Sequence, residues 1–507
     1  MTSTRPNETS PVDNLKAVAG LEPAAVWEFF AGMSDVPRPS KKEERVRAYV
    51  EGIAKAHGFE CRQDKVGNLV VSVPGKPGCE TAPVTVIQGH LDMVCEKNAG
   101  TVHDFDRDPI RLIVDKDSEG EAILRADGTT LGADNGIGVA LGMAAAISPD
   151  VKHGPLELLM TLDEEAGMSG AKGLEPGVLS GKRLLNLDSE EDDSIYIGCA
   201  GGCDTNLTWS FPMEQPASGA VALKVTVNGL RGGHSGCDIH EGRGSAVKLL
   251  FRTLIFCGPS LRIAHLDAGS MRNAIPREAH AIVYIDGEAK ESLQRAADHV
   301  QQEGRGESFE PGLTISVAAG DASTHPTCLS QDATVKLLNA MSALPHGVLG
   351  MHPKVPELVE TSNNVATVKM SVNGSTAEIH AGTLSRSSSS SRLAETLRHI
   401  ATVGAMTGAA KEFGNDYPGW NPNPDSPLLA TCRNLYKNLF GEEANVRAIH
   451  AGLECGVIGE RVGEMDMVSF GPRIEGAHSP DERIYIDSVQ RTWKFLCAVL
   501  AELGKGA

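Results

Sequence analysis

Aromatic residues are scarce in this chain: Phe, Trp and Tyr make up 4% of its 507 residues. Proteins that grip single-stranded nucleic acid stack bases on aromatic faces along a basic groove, and that platform is missing. Basic residues are also outnumbered, 47 Lys and Arg against 66 Asp and Glu, which gives a formal net charge of -19. Affinity for a phosphate backbone is built from Lys and Arg, so no nucleic-acid partner is expected; the acidic excess suits cations instead. No uninterrupted apolar run approaches the roughly 20 residues that cross a bilayer, so no membrane partner is expected either. The first dozen residues place no apolar segment behind a basic start, so no signal peptide is expected, and residues 1–20 read as a disordered leader. The 11 cysteines, odd in number and irregularly spaced, read as reduced thiols of a cytoplasmic protein. Cys199 and Cys203 are spaced as a zinc site could use, but no second pair completes one.

What remains is an ordinary globular composition, 41% hydrophobic and 22% charged, in a chain long enough for two or three domains. Helical spacing runs from about Glu22 through Phe30 and again from Lys41 to His57. Strands are predicted at Asn68 to Pro74, Val84 to Gly89, Leu124 to Leu131, Leu156 to Leu162 and Arg183 to Leu187, with a small-residue helix opening at Gly132. This alternation predicts an α/β layer. From about Cys203 the texture becomes β-α-β-β-α, once from Val221 to Gln302 and again from Leu313 to Ala409, which predicts an inserted α+β domain with an internal pseudo-repeat. The five serines of Ser387 to Ser391 are expected to be an ordered loop, and Tyr417 to Pro424 a linker. The expected organisation is a catalytic domain in two pieces, 21–202 and 419–507, interrupted by a lid at 203–418.

The chemistry gathers at strand ends. His90 and Asp92 close a β-branched run two positions apart, on the same face of a strand, where the carboxylate can orient the imidazole as a metal ligand. Asp134, the pair Glu164 and Glu165, and Asp188 end or follow the next elements, and ligands of open α/β sheets bind beyond the carboxyl ends of strands. Carboxylates brought together resist ionisation unless a cation neutralises them. Imidazole with carboxylates suits Zn, Mn or Co. Asp134, set among glycines, is the best candidate to bridge two ions. Of Glu164 and Glu165, taken as neighbours on a strand end that point opposite ways, one could ligate while the other serves as general base in amide hydrolysis. His478, after a C-terminal strand, is the candidate second histidine. In the insert, His234 lies among glycines that make room for a ligand. Asn273 and Arg386 are candidate carbonyl and carboxylate partners.

Eight segments together carry a family resemblance: Gly89-His90-Leu91-Asp92-Met93-Val94-Cys95-Glu96, Leu131-Gly132-Ala133-Asp134-Asn135-Gly136-Ile137-Gly138, Asp163-Glu164-Glu165-Ala166-Gly167-Met168-Ser169-Gly170, Leu187-Asp188-Ser189-Glu190-Glu191, Gly232-Gly233-His234-Ser235-Gly236, Arg272-Asn273-Ala274-Ile275-Pro276-Arg277-Glu278-Ala279, His450-Ala451-Gly452-Leu453-Glu454-Cys455-Gly456 and Gly476-Ala477-His478-Ser479-Pro480-Asp481-Glu482. They resemble, from Trp27 to the last helix, the bacterial cytosolic non-specific (aminoacyl-histidine) dipeptidases, carnosinase-like members of the co-catalytic zinc peptidase family.

The resemblance implies a zinc-peptidase-type α/β fold, with a mixed central sheet flanked by helices, and two divalent ions per subunit, Zn2+ or else Mn2+ or Co2+. It implies His90 and Asp188 on one ion, Glu165 and His478 on the other, Asp134 across both, Glu164 as general base, Asp92 as the orienter of His90, and a cis Asp134–Asn135 peptide. A homodimer through the lid is implied too, with His234 reaching the partner's site to stabilise an oxyanion, Asn273 and Arg386 holding a small peptide substrate, and the Gly452 backbone near its C-terminal end. The implied activity is hydrolysis of unblocked dipeptides, Xaa-His among them. A tripeptidase or N-acyl-amino-acid deacylase on the same scaffold is the alternative, and a scaffold protein that has lost catalysis the reading from another class. Leu187 and Ser245 depart from the family pattern, which has a small polar residue and an asparagine there.

Overall fold

Thr85–His90, Leu156–Thr161, Arg183–Asn186 and Asp466–Ser469 run parallel to one another at the centre of an eight-stranded sheet. The first two are buried along their whole length, so they read as continuous apolar runs without alternation. Leu69–Val73 and then Glu60–Gln63 add to one side in antiparallel pairs, Ser194–Cys199 pairs antiparallel on the other side, and Asn445–Ile449 lies at the edge beyond it. This is the mixed central sheet flanked by helices that was expected. The computed structural model describes residues 13–257, 261–308, 310–353, 355 and 358–505. Among them no helix is long and apolar enough to cross a membrane.

The helix Ala133–Ile147 lies against Thr85–His90 and against Ala24–Ser34. Its small residues permit the approach: a Cβ on Gly138 would sit 2.3 Å from the Leu187 carbonyl oxygen. The chain divides into two compact units. The first runs to Gly198 and takes in Pro422–Ala448 and the chain from Leu453; the second comprises Cys199–Asn421 and Ile449–Gly452. The brief return at Ile449–Gly452 has a local cause, since the Ala200 amide donates to the carbonyls of Ile449 (3.0 Å) and Ala451 (3.1 Å).

Several expectations change. Part of the supposed leader is ordered: Asn14–Ala17 forms a helical turn, and Asn14 is buried, its amide donating to Asp35 Oδ1 and the Ile110 carbonyl at 2.8 Å. A polar N-terminal stretch looks disordered because nothing local shows which distant carbonyl will accept its side chain. Residues 1–12 lie outside the described residues. The supposed linker is stitched in place, with Trp420 buried and exchanging two 2.9 Å backbone hydrogen bonds with Cys199.

The second unit holds a ten-stranded sheet covered on one face by helices Ala246–Phe256, Lys290–Glu307, Gln331–Ala343 and Ser390–Thr407. The strands are partitioned differently from the two expected β-α-β-β-α units. Thr314–Ala319 pairs with Ala220–Asn228 and so closes the first β-α-β-β-α-β unit instead of opening the second. The first strand of the second unit is Gly201–Glu214, far upstream, which pairs with Thr376–Ser387 and Ala410–Tyr417. Order along the chain cannot reveal which sheet edge a strand joins. The serine run is ordered: the Ser387 hydroxyl lies 2.9 Å from that of Thr361, and Ser389 precedes the helix Ser390–Thr407.

Candidate active site

His90 is the last residue of its strand and Asp188 lies just past the end of Arg183–Asn186, so the parallel sheet delivers both to one rim. Asp134 enters beside them at the start of the helix Ala133–Ile147, where the Asp134–Asn135 peptide is cis. Its two carboxylate oxygens face different imidazoles: Oδ1 is 3.0 Å from His90 Nε2, and Oδ2 is 3.1 Å from His478 Nε2. His90 Nε2 is also 3.4 Å from Asp188 Oδ1, and His478 Nε2 is 3.0 Å from Glu165 Oε2. Two donor groups result, His90 with Asp134 and Asp188, and Asp134 with Glu165 and His478, each with its ligand atoms within 4.8 Å of one another. A third group joins His90 to Glu164 and Glu165. No cysteine belongs to a candidate metal group among the described residues.

The strand-end argument for Glu164 and Glu165 needs correction. Both lie on a single helical turn, Glu164–Gly167, entered through Asp163 in the left-handed region (φ 55°). Asp92 organises that turn: its Oδ1 accepts from the Glu164 amide at 3.0 Å and its Oδ2 from the Glu165 amide at 3.2 Å, while Ser40 Oγ donates to Oδ2 at 2.7 Å. The same carboxylate lies 3.4 Å from His90 Nδ1. One buried side chain therefore faces the imidazole and holds the backbone of the glutamate pair. Burial pulls the Asp92 carboxyl upward, but His90, Ser40 and the Glu164 amide outweigh it and hold it at about 2.

As protein side chains alone, these groups are badly balanced. Burial, with Asp134 and Glu165 opposite, pushes Asp188 up to about 7 against the pull of His90. Burial also carries Glu164 well above the usual carboxylate range, with Asp188, Glu454 and Glu165 adding to it against His90. Asp134 and Glu165 raise His478 to about 11. Burial would lower His90, but Asp188 and Asp134 overcome it and raise the ring well above its ordinary value. The buried oxygens Glu165 Oε1 and Asp188 Oδ1 have no hydrogen-bond partner. Surplus buried anionic oxygens around two imidazoles are a donor set that divalent cations fit.

Several supporting residues escape sequence reasoning. Glu482, buried, accepts from the backbone N–H groups of Leu131 (2.7 Å), Gly132 (3.0 Å) and Ala133 (2.8 Å), tying the turn of His478 to the loop that delivers Asp134. Arg38, buried, donates to the carbonyls of Leu91 (3.2 Å), Asp92 (3.0 Å) and Gly132 (2.5 Å) and so joins the strand end to the same loop. Glu454 accepts from Gln88 at 2.6 Å and Thr161 at 2.5 Å beneath the strand ends. Glu454 and Glu482 stand inside segments that carry the family resemblance, the one sequence signal available for them; Arg38 has none. Replacing Glu482 by alanine leaves those amides without their acceptor, which should destabilise the fold by about 2–4 kcal/mol and reduce bound metal. Thermal unfolding with metal analysis checks this, and an unchanged melting point would remove the anchoring role.

The remaining candidates lie in the second unit. His234 pairs in a two-residue ladder with Ala274, and its Nδ1 accepts from the amides of Gly236 (3.3 Å) and Cys237 (3.1 Å), which puts the ring proton on Nε2. The Asn273 carbonyl accepts from the Ser235 amide at 2.8 Å, while Asn273 itself is exposed. Arg386 is 5% exposed and donates to Tyr417 Oη at 2.7 Å, and its Nε has no partner. Among the described residues no carboxylate lies within ion-pair distance of that guanidinium, a costly burial that an anionic ligand would offset. Gly452 follows His450, whose Nε2 is 2.7 Å from Ser362 Oγ, and Ser362 stands opposite Arg386 in the sheet. Burial and Arg386 push His450 down to about 3, so its ring is neutral. The two departures are accommodated: Leu187 is a core side chain, and Ser245 caps the helix Ala246–Phe256 by accepting from the Lys248 amide.

A mixed sheet with a rim of two histidines and converging carboxylates is the architecture of a hydrolase that gathers metal-ligand side chains at strand ends. Residues 86–502 match Peptidase family M20/M25/M40, and the chain belongs to that family; it is a hydrolase acting on peptide bonds. It is 40% identical over 494 residues, 96% of this chain and 99% of the relative, to the cytosol non-specific dipeptidase of Escherichia coli (strain K12). The crystal structure of aminoacylhistidine dipeptidase from Vibrio alginolyticus is similar with a TM-score of 0.86 and 40% identity, over 96% of this chain and 98% of that one. A tripeptidase structure from Staphylococcus aureus, 15% identical with a TM-score of 0.58 over 96% of this chain and 99% of that one, shares the fold.

Proposed function

We propose that this protein is a cytoplasmic dipeptidase of broad specificity, with Xaa-His among its substrates, built on a dinuclear metal centre. The observation that carries the reading is the Asp134 carboxylate, whose two oxygens face His90 and His478 separately. In this reading His90 and Asp188 would hold one ion and Glu165 and His478 the other, with Asp134 available to both. Two divalent ions, Zn2+ or else Mn2+ or Co2+, would supply Lewis acidity toward the scissile carbonyl and lower the pKa of water. Glu164 takes the proton from the attacking water at its carboxylate and returns it to the leaving amine. Asp92 fixes His90 and the turn that presents Glu164.

Arg386 binds the free C-terminal carboxylate of the substrate, with Asn273 and the Gly452 backbone nearby. His234, with its proton on Nε2, donates to the developing oxyanion, a type of contact worth about 3 kcal/mol. The chain acts as a homodimer through the second unit, and His234 serves the partner's site. A panel of Xaa-His and other dipeptides, tripeptides and N-acyl amino acids, assayed beside metal content, tests the reading. Dipeptide turnover with about two ions per chain is expected; preference for tripeptides or N-acyl amino acids would overturn the specificity. Mixing inactive Glu164→Ala and His234→Ala chains should restore part of the activity. No recovery despite demonstrated subunit exchange would put His234 outside the partner's site.

A further inference from the structure

The helix-free face of the ten-stranded sheet collects three imidazoles and a carboxylate that the peptidase reading does not use. Along Ala279–Asp286, Ala279, Ala281, Val283 and Ile285 point into the core beneath the helices, so His280 points to the opposite face. Its register partner on the neighbouring antiparallel strand is Asp267, and His265 lies two residues before Asp267 on the same face. Asp267 is in turn paired with Lys369 on the next strand, so His280, Asp267 and Lys369 form one row across three strands. One ligand atom each from His265, Asp267 and His280 lies within 4.8 Å of the others. His325 stacks on His265 with ring centroids 4.6 Å apart, and Tyr284 Oη holds the His325 carbonyl at 2.8 Å. The cluster opens onto a cavity of about 360 Å³ lined by Asp267, His280, Lys369 and Arg277.

We propose that His265, Asp267 and His280 form a separate mononuclear site for a first-row divalent transition ion, Zn2+ by its donor set. Two imidazoles and a carboxylate are a three-ligand set of the kind that leaves a fourth tetrahedral position, and the cavity gives that position access to water or a small exchangeable ligand. Side chains at i and i+2 of one strand and at the cross-strand partner of the next converge without help from a loop, so little ordering is required on binding. The opposing feature is Lys369, whose ammonium contacts Asp267 Oδ1 and competes with an ion for that carboxylate. The site shares no residue with the Asp134 centre, and the inference does not rest on the dipeptidase reading.

The test counts Zn2+ per chain on the full-length protein, first loaded at its other centre, by competition with a chromophoric chelator. The proteins compared are the wild type, His265→Ala/His280→Ala and Lys369→Met. The wild type should hold one more exchangeable ion than the double variant, and Lys369→Met should bind that ion at least about tenfold more tightly because the competing charge is gone. Equal ion counts in the wild type and a folded double variant would overturn the proposal. If the double variant does not fold, Lys369→Met decides: an affinity equal to wild type overturns the site, whereas tighter binding is a gain that misfolding does not produce. Loss of the Asp134 centre would appear separately, as an equal fall in ion count in all three proteins.

Discussion

Glu164→Ala should keep its metal and lose turnover by a factor of about 10³ or more, as expected when a general base and a metal centre act as a unit. Metal should stay because Asp92, not the Glu164 side chain, accepts from the Glu164 and Glu165 amides, so the turn that presents Glu165 survives the truncation. Burial, with Asp188, Glu454 and Glu165 adding to it, carries Glu164 well above the usual carboxylate range. This rise makes Glu164 a strong proton acceptor. Metal analysis and kcat on the same preparation separate the two roles. Activity within tenfold of wild type would remove Glu164 as the base, while loss of an ion would mean that it ligates. Glu164→Gln, close to isosteric but unable to take the proton, should fall as far as the alanine variant.

The parts of this site legible in the sequence are those that a strand end advertises. His90 and Asp188 follow runs whose burial on both faces leaves no alternation, and a polar residue ending such a run has few structural reasons to be there. Glu164 and Glu165 were recognisable as residues but not as geometry, because a helical turn entered through a left-handed Asp163 is not encoded in the strand before it. The anchoring roles of Glu482 and Arg38 were unreadable for a different reason. Their partners are backbone groups, about 350 residues away for Glu482, and an amide or carbonyl has no signature in a sequence. The exchange of Thr314–Ala319 between repeat units is the same limit at the scale of the fold, since pairing across a sheet is a contact between strangers in the chain.

Asp134→Ala tests the centre as a whole, and its expected signature differs from that of every other ligand. Asp188 contacts only His90 of the two imidazoles, and Glu165 makes its ion pair with His478, so removing either should cost chiefly one ion. Among the described residues only Asp134 lies within ion-pair distance of both rings, one oxygen to each. Its loss should take both ions together, leaving well under one per chain and activity lower by about 10⁴-fold or more, beyond the loss from Glu164→Ala because Lewis acidity goes with the ions. Asp134→Asn is the sharper case: it keeps the size and one carbonyl oxygen but not the second anionic oxygen, so one ion should persist weakly while its partner is lost. The decisive measurement is metal stoichiometry across Asp134→Ala, Asp188→Ala and Glu165→Ala at matched free metal. If Asp134→Ala loses no more metal than the other two, the carboxylate does not bridge, and two independent mononuclear sites would describe the rim better.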